Sequence, residues 1–416
     1  MKNFFKKIIP NFLISWYHFS LVLIGAIIYG FPSRKLKIIG VTGTNGKSTV
    51  VLLISRILEQ AGYPVASLSS IEFKIKNKIW QNNLKMTMPG RMAIQKFLRQ
   101  AKEAKCKYVV LEVTSEGIKQ YRHKFINFQT AVFTNLTKEH LESHGGFENY
   151  RKAKSKLFKK VKNGKIIVNL DDSNAEYFLN FPAKEKLTYS LNKDKENNIF
   201  GSDLIFNNKG ISFKVKETEF NLNLLGRFNV YNALASIAVG LSEKIDLNII
   251  KAGLESVQGV SGRLEMIYKN PFIVMVDYAH TPDALEKVYK TVKKLSSNRI
   301  IGVLGSAGGG RDKWKRPEMG KIAEKYLDEI ILTNEDPYNE NPEAIIQQIK
   351  EGIKKKQARI IINRGEAIKK ALLLAQEGDL VIITGKGCES WICEGNKKIP
   401  WDDRRVVKEE MEKINA

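Results

Sequence analysis

A chain of 416 residues is longer than one hydrophobic core normally serves, which predicts two or three domains. Its 43% apolar content excludes a disordered polymer. The formal net charge of +24 favours anionic partners, but the lysines are spread along the chain, as on a solvated surface, and no basic-aromatic platform marks a nucleic-acid partner.

The first element is a run without acidic or basic side chains other than His18. Residues 12–31 read FLISWYHFSLVLIGAIIYGF, preceded by Lys2, Lys6 and Lys7 and followed by Arg34, Lys35 and Lys37. Its length is sufficient to span a bilayer. No small-residue cleavage site follows, so it does not read as a signal peptide. Segment 1–35 therefore predicts membrane contact, as a span or an interfacial helix, or else a helix docked on the next domain. Bases on both sides leave its orientation open.

Strands and helices then alternate. Residues 37–41 (KIIGV) form a predicted strand ending in a Gly-rich turn, and 48–61 have helical spacing. Residues 108–113, 130–134 and 165–169 are apolar runs of buried-strand length. Between 195 and 225 the runs are short and alternating, with a hairpin signal at Asn207-Asn208-Lys209-Gly210. Residues 230–242 are helical. From Pro271 a second series begins: FIVMVDYAH, a helix, then RIIGVL, EIILT, RIIIN and LVIITG. This order predicts an α/β protein with a mainly parallel central sheet and a Rossmann-like C-terminal unit. The expected division is 1–35, 36–260 and 261–416. Cys106, Cys388 and Cys393 form no ligand or disulfide framework and read as reduced thiols of a cytoplasmic protein.

The turn after the first strand carries the clearest chemistry. Gly43-Thr44-Asn45-Gly46-Lys47-Ser48-Thr49 leads from a strand into a helix. Backbone N–H groups in such a turn converge on one point, and the helix N-terminus adds positive potential. Lys47 would reach the β- and γ-phosphates of a nucleotide, and Ser48 would meet Mg²⁺. Val41 stands where a strict Walker pattern has its first glycine. Glu112 and His140 end apolar strands on the rim where open α/β sheets bind ligands. Their oxygen and nitrogen suit a metal, although on spacing alone a solvated strand-end acid and a packed histidine are the better fit.

GTNGKST, Glu112-Val113-Thr114-Ser115-Glu116-Gly117, the segment from Thr134 to Gly145 (TNLTKEHLESHG), YRKAKSKLF at 150–158 and LGRFNVYN at 225–232 occur in that order. Gly262-Arg263-Leu264-Glu265, DYAHTPD at 277–283, GGRDK at 309–313 and Gly385-Lys386-Gly387 complete the series. Together they resemble the Mur ligases of cell-wall synthesis, and most of all the branch that adds the third residue of the peptidoglycan stem peptide. The resemblance covers nearly the whole chain after residue 36. It implies an ATP- and Mg²⁺-dependent ligase that activates a muramoyl-peptide carboxylate as an acyl phosphate and joins it to an amino acid. It is expected to be a monomer in the cytoplasm, with possible contact to the inner face of the plasma membrane through residues 12–31.

The resemblance also implies roles for individual residues. Lys154 matches the family's carbamylated lysine, which CO₂ converts from a cation to an anion; taken alone it is a helix lysine among lysines. With Lys47, Glu112 and His140 it makes the implied catalytic set, and with Ser48, Glu112 and His140 the implied metal set. Asn229, Asn232, Arg263, Asp277 and His280 are expected near the nucleotide. Thr114, Ser115, Arg122, Arg311, Asp336, Tyr338, Gly385 and Glu389 are expected at the substrates, Arg311 and Glu389 at the amino acid. The rigid fork of Arg311 suits a carboxylate.

Four departures qualify the match. The hydrophobic segment stands in place of the family's uridine-nucleotide domain, so a lipid-linked muropeptide is an alternative acceptor. Glu116 and Cys388 replace histidines. The family's DNPR mark of diaminopimelate enzymes reads Glu335-Asp336-Pro337-Tyr338, and a phenol cannot pair bidentately with a second carboxylate. A folylpolyglutamate-type ligase and a non-catalytic nucleotide-binding scaffold are the competing readings.

Overall fold

The computed structural model describes residues 11–84, 86–194, 199–296 and 298–415; Lys2, Lys6 and Lys7 lie outside them. The expected α/β architecture is present. Eleven strands form one sheet: β1 (Lys37–Thr42), β2 (Val65–Leu68), β3 (Glu72–Ile75), β4 (Lys78–Gln81), β5 (Tyr108–Glu112), β6 (Phe128–Phe133), β7 (Lys165–Asn169), β8 (Glu185–Ser190), β9 (Ile199–Asn207), β10 (Gly210–Val215) and β11 (Thr218–Leu222). Their spatial order is β11-β10-β9-β8-β7-β6-β1-β5-β2-β3-β4. The central strands are parallel and almost wholly buried, as continuous Val/Ile runs require. The hairpin signal at 207–210 is where β9 turns into antiparallel β10, and Asn207 Oδ1 accepts from the Lys209 and Gly210 amides at 2.8 and 3.0 Å.

Register places the chemistry. Val41 lies opposite Glu112, and Thr42 opposite Phe133. The turn after β1, the last residue of β5 and the Thr134–Asn135 segment after β6 thus meet at one sheet edge.

The second sheet contains β12 (Glu265–Tyr268), β13 (Ile273–Asp277), β14 (Ile300–Leu304), β15 (Glu329–Leu332), β16 (Ala358–Ile360) and β17 (Leu380–Thr384), in the order β12-β13-β17-β14-β15-β16. Only β12 runs antiparallel. The RIIIN run supplies just a short edge strand, with Arg359, Ile360 and Ile362 exposed, because no further strand covers it.

Helix α1 (Asn11–Ile28) is docked. Its Val22 and Ala26 are fully buried against α2 (Arg91–Glu103), and a Cβ on Gly25 would lie 3.2 Å from Met92 Cα, so small residues allow the close approach. Ser15 and Tyr121 hydroxyls stand 2.6 Å apart. Among the described residues no helix is long and apolar enough to cross a membrane, which corrects the spanning alternative.

Candidate active site

A single cleft of about 880 Å³ joins the two sheets and is lined by both. Its floor is the turn after β1. Gly43 has φ +151°, and a Cβ there would fall 1.9 Å from Thr134 Oγ1; Gly46 has φ +83°, and a Cβ there would fall 2.3 Å from Asn232 Oδ1. Only glycine fits either position. Gly46 caps the helix Lys47–Gln60, so the first amides of that helix stand at an N-terminus beside the cleft, which Gly46, Lys47 and Ser48 line. Asn135 steadies the turn: its carbonyl accepts from Thr44 N at 2.8 Å and its side chain from Asn45 N at 2.9 Å.

The predicted catalytic residues gather here. Lys47 Nζ donates to Thr44 O at 2.7 Å and lies 3.8 Å from Glu112. Ser48 Oγ and the Ser70 amide both donate to Glu112 Oε2, at 2.7 and 2.9 Å. Lys154, on the helix Phe147–Phe158, is 2% exposed and donates to Gly43 O at 2.7 Å. Burial, followed by the charge of Lys47, holds its amine well below the ordinary lysine range. Lys47 is lowered too, by burial against the opposing pull of Glu112. His140 falls to about 2, through burial and then the charges of Arg311 and Lys154, and so stays neutral with a lone pair available.

The Ser48 hydroxyl and the Glu112 carboxylate are oxygen donors that suit Mg²⁺, and His140, its ring 6.0 Å from that of Tyr150, lines the same cleft. Ser48 and Glu112 already share a hydrogen bond that a divalent ion would replace. His280 is neutral as well, again through burial first, with Nδ1 2.8 Å from Tyr278 O.

At the nucleotide end, Asn232 Nδ2 donates to Asn229 Oδ1 at 2.8 Å, and Asn229 donates to Leu225 O at 2.8 Å. Asn232 lines the cleft, whereas Asn229 stands behind it as its support. Arg263 lies over the Tyr278 ring at 4.3 Å. Asp277 accepts from the Leu264 and Ala279 amides at 2.7 and 2.6 Å, which fixes the loop between the two units.

On the wall beyond β5, Thr114 caps the short helix Ser115–Lys119 by accepting from Gly117 N, and Ser115 is buried. Arg122 is pushed down to about 10 by burial and then Arg91; it donates to Met88 O and, at 2.7 Å, to Gln120 Oε1, leaving Nε without a partner among the described residues.

The remaining predicted residues sit in the opposite unit. Arg311, Asp336, Tyr338 and Glu389 line the cleft; Gly385, at φ +111°, lies just behind, where a Cβ would meet Glu335 Oε2 at 2.5 Å. The fully buried Lys386 ties the group together, donating to Asp336 at 2.9 Å and to Glu389 at 2.6 Å. Tyr338, at φ +53°, has its ring on Gly309.

Sequence reasoning missed the residues that close the cleft. The Leu141 and Glu142 amides donate to Asp312 at 3.0 and 2.9 Å, and the buried pair Lys315–Glu139 stands at 3.2 Å. Asn45 also reaches Asp283 at 2.8 Å. Asp312 directly follows Arg311 and Lys315 comes four residues after it, but nothing in a linear pattern shows that they face the loop around His140.

The arrangement pairs a nucleotide floor with a polar pocket held by a second unit. Residues 41–240 match the Mur ligase middle domain, and residues 262–387 match the Mur ligase, glutamate ligase domain. This chain belongs to the Mur ligase family. It is similar to the UDP-N-acetylmuramoyl-L-alanyl-D-glutamate--2,6-diaminopimelate ligase 1 of Clostridium acetobutylicum, with 39% identity over 95% of this chain and 82% of that one. It is 41% identical to the ligase of the same description from Aquifex aeolicus, over 92% of this chain and 78% of that one. A solved structure of such a ligase matches with a TM-score of 0.63 and 32% identity, covering 92% of this Mur ligase and 79% of the other.

Proposed function

We propose that this Mur ligase uses ATP to join an amino acid to the carboxylate of a muramoyl peptide in peptidoglycan synthesis, in the cytoplasm. The carrying observation is that one cleft holds the Gly43–Thr49 floor, with half-buried Lys47 and buried Lys154, at one end and Arg311 with Glu389 at the other. A carboxylate does not condense with an amine at neutral pH, because hydroxide leaves poorly. In the proposed reaction the acceptor carboxylate attacks the γ-phosphorus in line, and ADP leaves. The amine then attacks the acyl carbon, and phosphate leaves. The turn amides and Lys47 hold the phosphates and spread their charge. Ser48, Glu112 and His140 would hold Mg²⁺, which when bound offsets the repulsion between the two anions.

Lys154 fits a carbamate on chemical grounds. Only an unprotonated amine adds to CO₂, and burial beside Lys47 favours that form. The product is an anion next to Lys47, which removes a like-charge contact and supplies an oxygen donor toward the metal.

For the amino acid, Arg311 supplies the carboxylate contact and Glu389 with Asp336 faces the amine. The relatives are named for 2,6-diaminopimelate. Here Tyr338 offers a phenol, and Lys386 is already paired with two carboxylates. We therefore assign a diamino acid lacking a second carboxylate, such as lysine. The test is ATP-dependent phosphate release with UDP-linked muropeptides, lipid-linked muropeptides and folate diglutamate, each against a panel of amino acids. Turnover with the folate acceptor alone would overturn the assignment.

A further inference from the structure

We propose that α1 is an interfacial anchor that lays its outer face on an anionic lipid bilayer. The inference does not depend on which muropeptide or amino acid the cleft takes.

The outer face of α1 is a stripe. Leu13, Trp16, Tyr17, Ile24, Ile27 and Ile28 recur at helical spacing, and all are exposed, Trp16 at 71% and Ile28 at 60%. Large apolar side chains in one contiguous row on a soluble surface mark a contact site. The stripe is not slack left by a loose helix. The inner face is fixed by buried Val22 and Ala26, by the Ser15–Tyr121 hydrogen bond and by Phe19 against Tyr121 and Phe125 at 6.1 and 5.5 Å. A helix held on one side by protein can lie on a membrane but cannot be surrounded by it.

Charge selects the partner. No aspartate or glutamate precedes Glu59, while Lys2, Lys6, Lys7, Arg34, Lys35, Lys37, Lys47 and Arg56 all do. Arg34 and Lys35 are exposed in the turn Pro32–Lys35 at the end of the helix, and Arg34 lies over the Phe31 ring at 4.7 Å. At the other end, Lys124 borders a groove formed with Leu13, Trp16 and Phe19. Bases beside an apolar row suit phosphate headgroups above acyl chains. A second copy of the chain would instead bring two basic rims face to face. Trp16 and Tyr17 near one end are residue types that settle at headgroup depth.

The anchor borders the cleft. Arg91 reaches both His18 on α1, at 3.1 Å, and Gln120 on the cleft wall beyond β5, at 3.2 Å. Docking α1 would hold that side of the cleft at the lipid surface.

The experiment is co-sedimentation of the full chain with vesicles of phosphatidylglycerol and phosphatidylcholine, and with phosphatidylcholine alone. Binding is expected to the anionic vesicles. It should fall at least about tenfold in a Trp16→Ser/Ile24→Ser/Ile27→Ser/Ile28→Ser variant, and severalfold in Arg34→Gln/Lys35→Gln. Brominated acyl chains should quench Trp fluorescence in the wild type, and that quenching should be absent in Trp16→Phe, which separates insertion from any loss of fold. No binding to anionic vesicles overturns the proposal. So does binding that survives the serine variant, which would be charge alone. A lipid-indifferent dimer that the serine variant converts to monomer also overturns it, in favour of self-association.

Discussion

The two ends of the cleft handle buried charge in opposite ways. At the nucleotide floor, Lys47 lies close enough to buried Lys154 to lower its basicity further, while Glu112 pulls the other way on both. At the amino-acid end, the equally buried Lys386 is neutralised by Asp336 and Glu389. Lys47 is only loosely paired, 3.8 Å from Glu112, so the first end gains its full stabilisation when phosphate arrives. A paired cation is complete without ligand, so the second end positions groups and selects among substrates. Substitutions at the floor should therefore appear in kcat, and substitutions at the far end in KM.

Lys47→Ala puts that contrast under most strain. We expect it to lower kcat by about three orders of magnitude or more, as loss of a preorganised charge at a phosphoryl-transfer site does. Its melting temperature should stay near wild type, because the side chain contacts a loop carbonyl rather than core. Normal turnover by a folded Lys47→Ala protein would remove the nucleotide assignment.

Lys154→Ala should follow at roughly 10²–10³-fold. Short carboxylates such as formate or acetate should restore part of the rate by occupying the anionic position. Intact enzyme equilibrated with ¹³CO₂ should show a carbamate resonance that the variant lacks. An active wild type without that resonance would leave Lys154 as an amine donor to Gly43 O.

Arg311→Ala tests the other end. The KM for the amino acid should rise about 10–100-fold, with the KM for ATP nearly unchanged, the pattern expected when a charged hydrogen bond to one substrate is lost. Wild type should prefer lysine to diaminopimelate, and Tyr338→Arg should narrow the gap. Preference for diaminopimelate in the wild type would show that the second carboxylate is met without an arginine at 338.

How readily each end could be read from sequence follows from how it is built. The floor is seven consecutive residues whose backbone does the work, so Gly43 and Gly46 announce themselves in a linear pattern. Glu112 was visible as the end of an apolar strand and is placed by parallel register, opposite Val41, whereas His140, also expected at a strand end, lies beyond β6 in a left-handed turn before the short helix Leu141–His144. The amino-acid pocket draws on residues 311, 336, 386 and 389 from different loops of the second sheet, and no periodicity connects them. Resemblance located most of them. The latch formed by Asp312, Lys315 and Glu139 was missed because it exists only once the two sheets face each other. The N-terminal run showed its apolarity but not its fate: hydropathy does not reveal that Gly25 fits against Met92 and that Ala26 is buried.

The smallest expected effect separates loss of chemistry from loss of fold, without which neither end can be compared at low pH. His123 lies outside the cleft lining, 2% exposed, with Nδ1 unpartnered among the described residues. Burial first, then the charges of Lys124, Lys160 and Lys156, depress its imidazole from 6.5 to about 3. Between those values the unfolded chain binds a proton that the folded chain refuses. This contribution is therefore complete above pH 6.5 and is lost progressively as pH falls toward 3, with a slope of at most about 1.4 kcal/mol per pH unit. His140 and His280 are depressed in the same direction, so the absolute acid sensitivity is shared and the difference between proteins is the useful quantity. In His123→Leu, unfolding free energy measured by urea titration should decline less steeply between pH 6.5 and 5 than in wild type, with unaltered KM values at pH 7.5. Parallel slopes would mean that the pocket around His123 admits water and accepts the proton. Acid loss of activity could then be assigned to the nucleotide floor itself.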